Sequence, residues 1–171
     1  PITTAAALEL FCDPESIFEF KTKPFTIGGH VYAINGHWVV RFDPTAGQAH
    51  PTADPAWPFT TMAPELFAQA ATRPWSDDAV AMAGLALPPT ANCPKCNGTG
   101  TILWVDCAVC CGCDGGVDDG WTGVNVGQNF FSMKYLRALK AIPGCTFDPG
   151  QDQKHGRFKF PLAEGGEAMG L

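Results

Sequence analysis

No run of apolar residues in this chain approaches the roughly 20 that a membrane-spanning helix needs, so neither insertion nor anchoring in a bilayer is expected. The amino-terminal PITTAAALELFCDPE has neither the basic start nor the long apolar stretch of a secretory signal. A reducing cytoplasm is therefore the expected compartment, and a disulfide framework is not expected. Basic residues are few: 11 Lys and Arg stand against 17 Asp and Glu, for a net charge of −6. Broad attraction to phosphate backbones needs a basic face, so this balance fits a protein partner better than nucleic acid. No P-loop, dinucleotide fingerprint, metal-hydrolase motif or Ser-His-Asp ordering occurs.

What is present is globular in character. The chain has 171 residues and 46% apolar content, with mean hydropathy near zero. That length allows one sizeable core or two small domains. Nineteen glycines and fifteen prolines predict many turns and irregular connections.

Cysteine is the exception to even usage. Six of the eight cysteines fall in residues 93–116, CPKCNGTGTILWVDCAVCCGCDGG. A packed core does not call for such a density, whereas a tetrahedral thiolate site for zinc does. Cys93 and Cys96 form one CxxC knuckle, with Gly98 and Gly100 behind it to let the chain fold tightly round an ion. The second pair is Cys107 with Cys110 or Cys110 with Cys113. We favour Cys107 and Cys110, keeping Cys113 as the alternative ligand, because TILWVD between the pairs then reads as a short β excursion that brings two knuckles face to face. A redox CxxC would need one pair in a βαβ setting. Four thiolates close the coordination sphere, so a single structural Zn2+ that stabilises folding is expected, with no hydrolytic water.

CPKCNGTG matches the CxxCxGxG repeat of the DnaJ-type cysteine-rich zinc domain at each defined position, and CAVCCGCD follows the same frame until Asp114 replaces the last glycine. The segment thus resembles two of that domain's four repeats, enough for one zinc. The resemblance implies a local metal-binding fold with Cys93, Cys96, Cys107 and Cys110 as ligands. The His-Pro-Asp signature of a J-domain is missing, so co-chaperone activity is not implied.

Around this segment the chain reads as alternating helices and meanders. Thr3 and Thr4 are candidate N-caps for a helix whose Leu8, Phe11 and Cys12 share a face, ended by Asp13-Pro14. Ile17 to Phe20 reads as a strand. PFTIGGHVYAINGHWVVRF reads as a β-meander turning at Gly28-Gly29 and Asn35-Gly36. Asp43 to Phe59 is a proline-punctuated excursion whose Trp57 and Phe59 either pin it to the body, the favoured reading, or contact a partner. MAPELFAQAA predicts a short helix with Leu66 and Phe67 inward. Ser76 is expected to cap a second helix over DDAVAMAGLA, stopped by Pro88-Pro89. After the cysteines, VDDGWTGVNVGQNFF reads as turn and strand, with Asp118 and Asp119 solvated. Ser132 is expected to cap MKYLRALKAI, with Leu136 and Leu139 inward and Lys134, Arg137 and Lys140 outward. CTFD, GRFKFPLA and the terminal AMGL complete three short strands.

Each end of the chain therefore carries a helix followed by three short strands. Two such units can pair their sheets edge to edge and lay both helices on one face, giving an α+β, two-layer body. Residues 1–91 and 117–171 form that body, with 92–116 as an inserted zinc module. The order of elements, with HVYAINGHWVVRF in place of a hairpin bearing an ATDG-like turn, resembles one domain of a DNA sliding clamp. The layout also resembles small phage proteins, which implies a host bacterial cytoplasm.

Three functions are open on these readings. The favoured one is a non-catalytic, zinc-stabilised interaction protein, a phage accessory or inhibitor factor that binds a host or phage protein. The alternative is a nucleic-acid-associated module of clamp-like fold, although the knuckle region offers only Lys95 against Asp106, Asp114, Asp118 and Asp119. An enzyme using His30, His37 or His155 as acid or base is the least supported.

Overall fold

The computed structural model describes residues 1–43, 49–87, 123–150 and 156–171, together with the backbone of 101–102 and 105–106. It is an α+β fold built on one antiparallel sheet to which both ends of the chain contribute. The first helix, α1 (Thr4–Leu10), starts where the sequence places it: Thr3 Oγ1 accepts the Ala6 N–H at 3.2 Å. The carboxylate of Glu164 also accepts the Thr4 N–H at 3.2 Å, tying the start of α1 to the far end of the chain.

The first meander comprises β1 (Phe25–Ile27), β2 (His30–Ile34) and β3 (Val39–Phe42). Gly28 and Gly29 have φ of 57° and 85°, the left-handed pair that a type I′ hairpin turn requires. The second turn is longer than a dipeptide. Asn35 Oδ1 accepts the N–H groups of His37 and Trp38, both at 3.1 Å, and so closes a loop from Asn35 to Trp38 with Gly36 at φ 95°.

A four-residue α2 (Glu19–Thr22) precedes this meander, and a long helix, α3 (Phe59–Thr72), comes after it and the 49–58 segment. The chain then adds β4 (Val80–Ala81), a 3-10 turn (Met82–Gly84), the isolated hairpin β5 (Thr101–Ile102) and β6 (Val105–Asp106), and a second hairpin β7 (Gly123–Val126) and β8 (Asn129–Ser132). Helix α4 (Met133–Ala141) leads into the second meander, β9 (Thr146–Asp148), β10 (Arg157–Pro161) and β11 (Glu167–Gly170). The main sheet has seven strands in the order β1-β2-β3-β11-β10-β9-β4. The two meanders join where β3 pairs with β11, Arg41 opposite Met169 and Val40 opposite Gly170.

Both faces of that sheet are covered. Val31, Ala33, Val40, Phe42, Phe158, Phe160 and Ala168 pack with Ala7 and Leu8 of α1, with Phe11 just past its end, and with Leu136 and Leu139 of α4. The alternate positions Phe25, Tyr32, Ile34 and, partly, Val39 and Met169 pack with Phe59, Ala63 and Phe67 of α3. Placing α1 and α4 together on one face accords with the sequence; the two-layer expectation does not, because α3 adds a third layer. The reason lies in the VYAI run, in which every residue is buried. Successive strand residues point to opposite faces, so a strand buried at each position needs a cover on both sides.

Two other expectations are corrected. Ile17 to Phe20 is not a strand. Asp13 Oδ1 accepts the Glu15 N–H and Ser16 Oγ accepts the Phe18 N–H, so local side chains take the backbone donors and turn the chain into α2, steadied by a Glu19–Lys23 ion pair of 2.8 Å. Ser76 does not cap a helix. Its hydroxyl and its N–H both donate to the Asp148 carboxylate, and Val80 and Ala81 pair instead with Phe147 and Thr146 at the sheet edge. Ser132 does precede α4, but without a side-chain capping bond.

Candidate functional site

The expected zinc ligands Cys93, Cys96, Cys107 and Cys110, and the alternative Cys113, lie outside the described residues, as do His155, Asp118 and Asp119. What is described between the two CxxC motifs is the hairpin of β5 and β6, with Thr101 opposite Asp106 and Ile102 opposite Val105. In sequence Cys107 comes directly after Asp106. Burial pushes the thiols outside the cluster up, Cys12 to about 11 and Cys145 to about 12, which favours their protonated form. Among the described residues no three His, Cys, Asp or Glu side chains are grouped to hold a metal ion.

His30 and His37 flank β2 at its two ends. His30 opens β2 and pairs through Nδ1 with the exposed Asp43 carboxylate at 3.2 Å. His37 stands beyond the other end of the strand, its ring 4.8 Å from that of Tyr135. Burial, and then the positive charges of Lys134 and Lys21, lower its pKa below the ordinary value. The neutral form of its imidazole is thus favoured beside two ammonium groups.

Beside His37 the surface opens into an apolar groove of about 290 Å3 between the Asn35–Trp38 loop and α3. Ile34 and Trp38 form one wall, Met62 and Leu66 the other, and Leu171 joins them. Met62 is 52% exposed, high for a long apolar side chain that faces other apolar groups. Ile17 and Phe18, at 91% and 50%, are exposed on the α1–α2 connection. By contrast Trp57 and Phe59 are pins: Trp57 sets its ring edge-on to Phe25 at 5.5 Å and packs on Phe20 at 5.8 Å, and Phe59 is buried. Of the two sequence readings for that loop, pinning holds.

One buried polar centre has no counterpart in the sequence reading. Arg157 is 1% exposed, yet four hydrogen bonds and an ion pair hold its guanidinium. Nε and Nη2 bind the Asp148 carboxylate at 3.0 and 2.9 Å. Nη1 reaches the carbonyls of Ala70 and Arg73, and Nη2 that of Pro74. These are carbonyls that a helix end leaves without intrahelical donors. Trp75 covers the guanidinium with its ring 4.6 Å away. Burial would raise the Asp148 pKa, but bonds from the Ser76 hydroxyl, the Gly150 and Ser76 N–H groups and Arg157 outweigh it and hold the carboxyl below its ordinary value. A cleft of about 400 Å3 adjoins this centre, but its charges are spent on the protein itself. It anchors α3 to the second meander. Only CTFDPG, a strand ending in an acid just before a Pro-Gly turn, could have signalled it.

Comparison of the chain with protein-family models, with curated proteins and with solved structures gives no match.

Proposed function

We propose that this chain is a non-catalytic, zinc-stabilised interaction protein, acting as a phage accessory or inhibitor factor on a host or phage protein. The observation that carries this reading is the apolar groove at Ile34, Trp38, Met62 and Leu66, which offers a pocket for an apolar side chain of a protein partner. The net charge of −6 favours a protein over a phosphate backbone. One Zn2+ held by Cys93, Cys96, Cys107 and Cys110 stiffens the insert, and the pairing of Thr101 with Asp106 supports that assignment, since it turns the chain back between the two CxxC motifs.

The test is affinity capture from a bacterial lysate with three forms: the intact chain, Met62→Glu, and a deletion of residues 92–116. A partner retained by the deletion but lost from Met62→Glu places the contact in the groove. A partner kept by both variants removes the groove from the reading.

A second reading, a nucleic-acid-associated module of clamp-like fold, draws on the joining of two meanders through β3 and β11 with α1 and α4 on one face. It requires binding to single- or double-stranded DNA that weakens steeply as salt rises. Salt-independent or missing binding rejects it.

A further inference from the structure

The charges around the groove between the Asn35–Trp38 loop and α3 are unevenly placed. On the helix side, Met62 and Leu66 flank the single charged residue of α3, the exposed Glu65. On the loop side the charges are positive. Lys21 Nζ lies 2.6 Å from the point where a Cβ on Gly36 would stand, and Gly36 lines the groove. The missing side chain, at φ 95°, lets the ammonium group come against the loop backbone at the groove's end. Lys21 Nζ also sits 5.1 Å from the centre of the Phe18 ring. The one acid of its own helix, Glu19, is taken by Lys23 at 2.8 Å.

Lys134 adds a second cation on the same side. It precedes Tyr135, whose ring lies 4.8 Å from that of His37 and 5.5 Å from that of Trp38. After burial, the charges of Lys134 and Lys21 are what lower the His37 pKa, so both act on the loop wall of the groove. A chain of net charge −6 thus gathers positive charge at one rim of an apolar groove. Ammonium groups brought together repel each other, and a carboxylate placed between them turns that repulsion into charge-assisted hydrogen bonds.

The groove's size selects the rest of the ligand. Its volume of about 290 Å3 is at the lower limit of small-molecule sites, which run from about 300 to about 1,000 Å3. That space suits one large side chain of a polypeptide. Met62, half exposed, is a flexible thioether that can close over such an anchor.

We propose that the groove takes a segment of a protein partner in which a large apolar side chain stands close to a carboxylate, the apolar group lodging between Trp38 and Met62 and the carboxylate bonding to Lys21. The inference rests on the partner groove of the proposed function and adds its ligand chemistry and polarity: the acid points to the loop wall, away from Glu65.

The experiment selects a displayed library of random 12-residue peptides on the intact protein and measures the enriched peptides against wild type, Met62→Glu and the double variant Lys21→Gln/Lys134→Gln. Enriched peptides should carry a large apolar residue with Asp or Glu within three positions. Their binding should be abolished by Met62→Glu and weakened about tenfold by the double lysine variant, the worth of a hydrogen bond to a charged group. Changing the peptide's Asp or Glu to Asn or Gln should weaken wild-type binding by the same factor and cost nothing further on the lysine variant, since each change removes the same contact. That peptide change needs no altered protein, so it carries the test if a variant does not fold. Peptides that depend on Met62 but tolerate loss of their acid, or carry none, overturn this inference and leave the partner groove standing. If no enriched peptide depends on Met62, the groove reading falls together with it.

Discussion

Arg157 and Asp148 stand directly opposite each other on β10 and β9, and their side chains meet on the α3 side of the sheet as a fully buried ion pair. Because the guanidinium also collects the carbonyls of Ala70, Arg73 and Pro74, the pair joins the end of one helix to two strands more than seventy positions later in the chain. Removing one member leaves the other charge buried and unpaired, which costs about 3–5 kcal/mol. Arg157→Met should therefore lower stability by that order in chemical denaturation, and Asp148→Asn by less, since an amide still accepts from Ser76. A loss below about 1 kcal/mol for Arg157→Met, the range of an exposed pair, would contradict the burial.

The same carboxyl sets an acid limit. Its folded pKa lies below the unfolded value, so its contribution is fully present above the unfolded pKa of about 3.9 and is lost as pH falls through the folded one. The stability gap between wild type and Asp148→Asn should be constant near neutrality and shrink below about pH 4. A gap that persists unchanged at lower pH would mean that Asp148 does not gain from being ionised in the fold.

His37 should titrate below the ordinary histidine value of 6.5. Its lowered folded pKa means that acidification through that ordinary value toward the folded one costs stability, because the unfolded chain takes up the proton first. Burial is the leading cause, followed by Lys134 and Lys21. Lys134→Gln and Lys21→Gln should each move the NMR midpoint of His37 upward without restoring it fully. An unmoved midpoint in both would leave burial as the whole cause.

Gly170 faces Phe158 across β11 and β10, and a Cβ at Gly170 would fall 2.1 Å from that ring. Phe158 cannot yield: it is buried, stacked on Phe11 at 5.6 Å and set edge-on to Trp38 at 5.7 Å. Gly170→Ala should cost about 1–3 kcal/mol as an overpacked core position. Phe158→Leu in the same background should recover part of that loss, which a purely backbone effect of the glycine would not allow.

These residues show where sequence reasoning reaches and where it stops. Strand alternation, the Gly28-Gly29 turn and the apolar spacing of Leu136 and Leu139 are local signals, and the elements they predict are present. The failures at Ser76 and at Ile17 to Phe20 have one cause, a side chain that competes for the group a local rule relies on. Ser76 is a good helix cap until a carboxylate seventy-two positions away takes its hydroxyl, and a β-prone run forms no strand when Asp13 and Ser16 consume the local donors. The third layer was also written in the sequence, as the unbroken VYAI, but only as a demand for a second cover and not as the identity of α3. Beyond its acid the Arg157 centre is not legible in sequence, because its carbonyl partners, at and just past the end of α3, are more than eighty positions away. The cysteines of the cluster, Cys93 to Cys113, lie outside the described residues.

Chelation is expected to separate the insert from the body. Among the described residues, the sheet's two cores are built from side chains outside 92–116. If Cys93, Cys96, Cys107 and Cys110 share one zinc, metal analysis should find one ion per chain, and Cys93→Ser or Cys96→Ser should remove it. Adding a chelator should then raise hydrogen exchange at Thr101–Ile102 and Val105–Asp106 while the amides of β2, β3, β10 and β11 stay protected. Cys113→Ser should leave the stoichiometry intact, whereas Cys107→Ser should not; the reverse result would move the second ligand pair to Cys110 and Cys113. A single cooperative loss of all structure on chelation would show that the ion holds the body as well as the insert, because two independently packed cores would otherwise survive it.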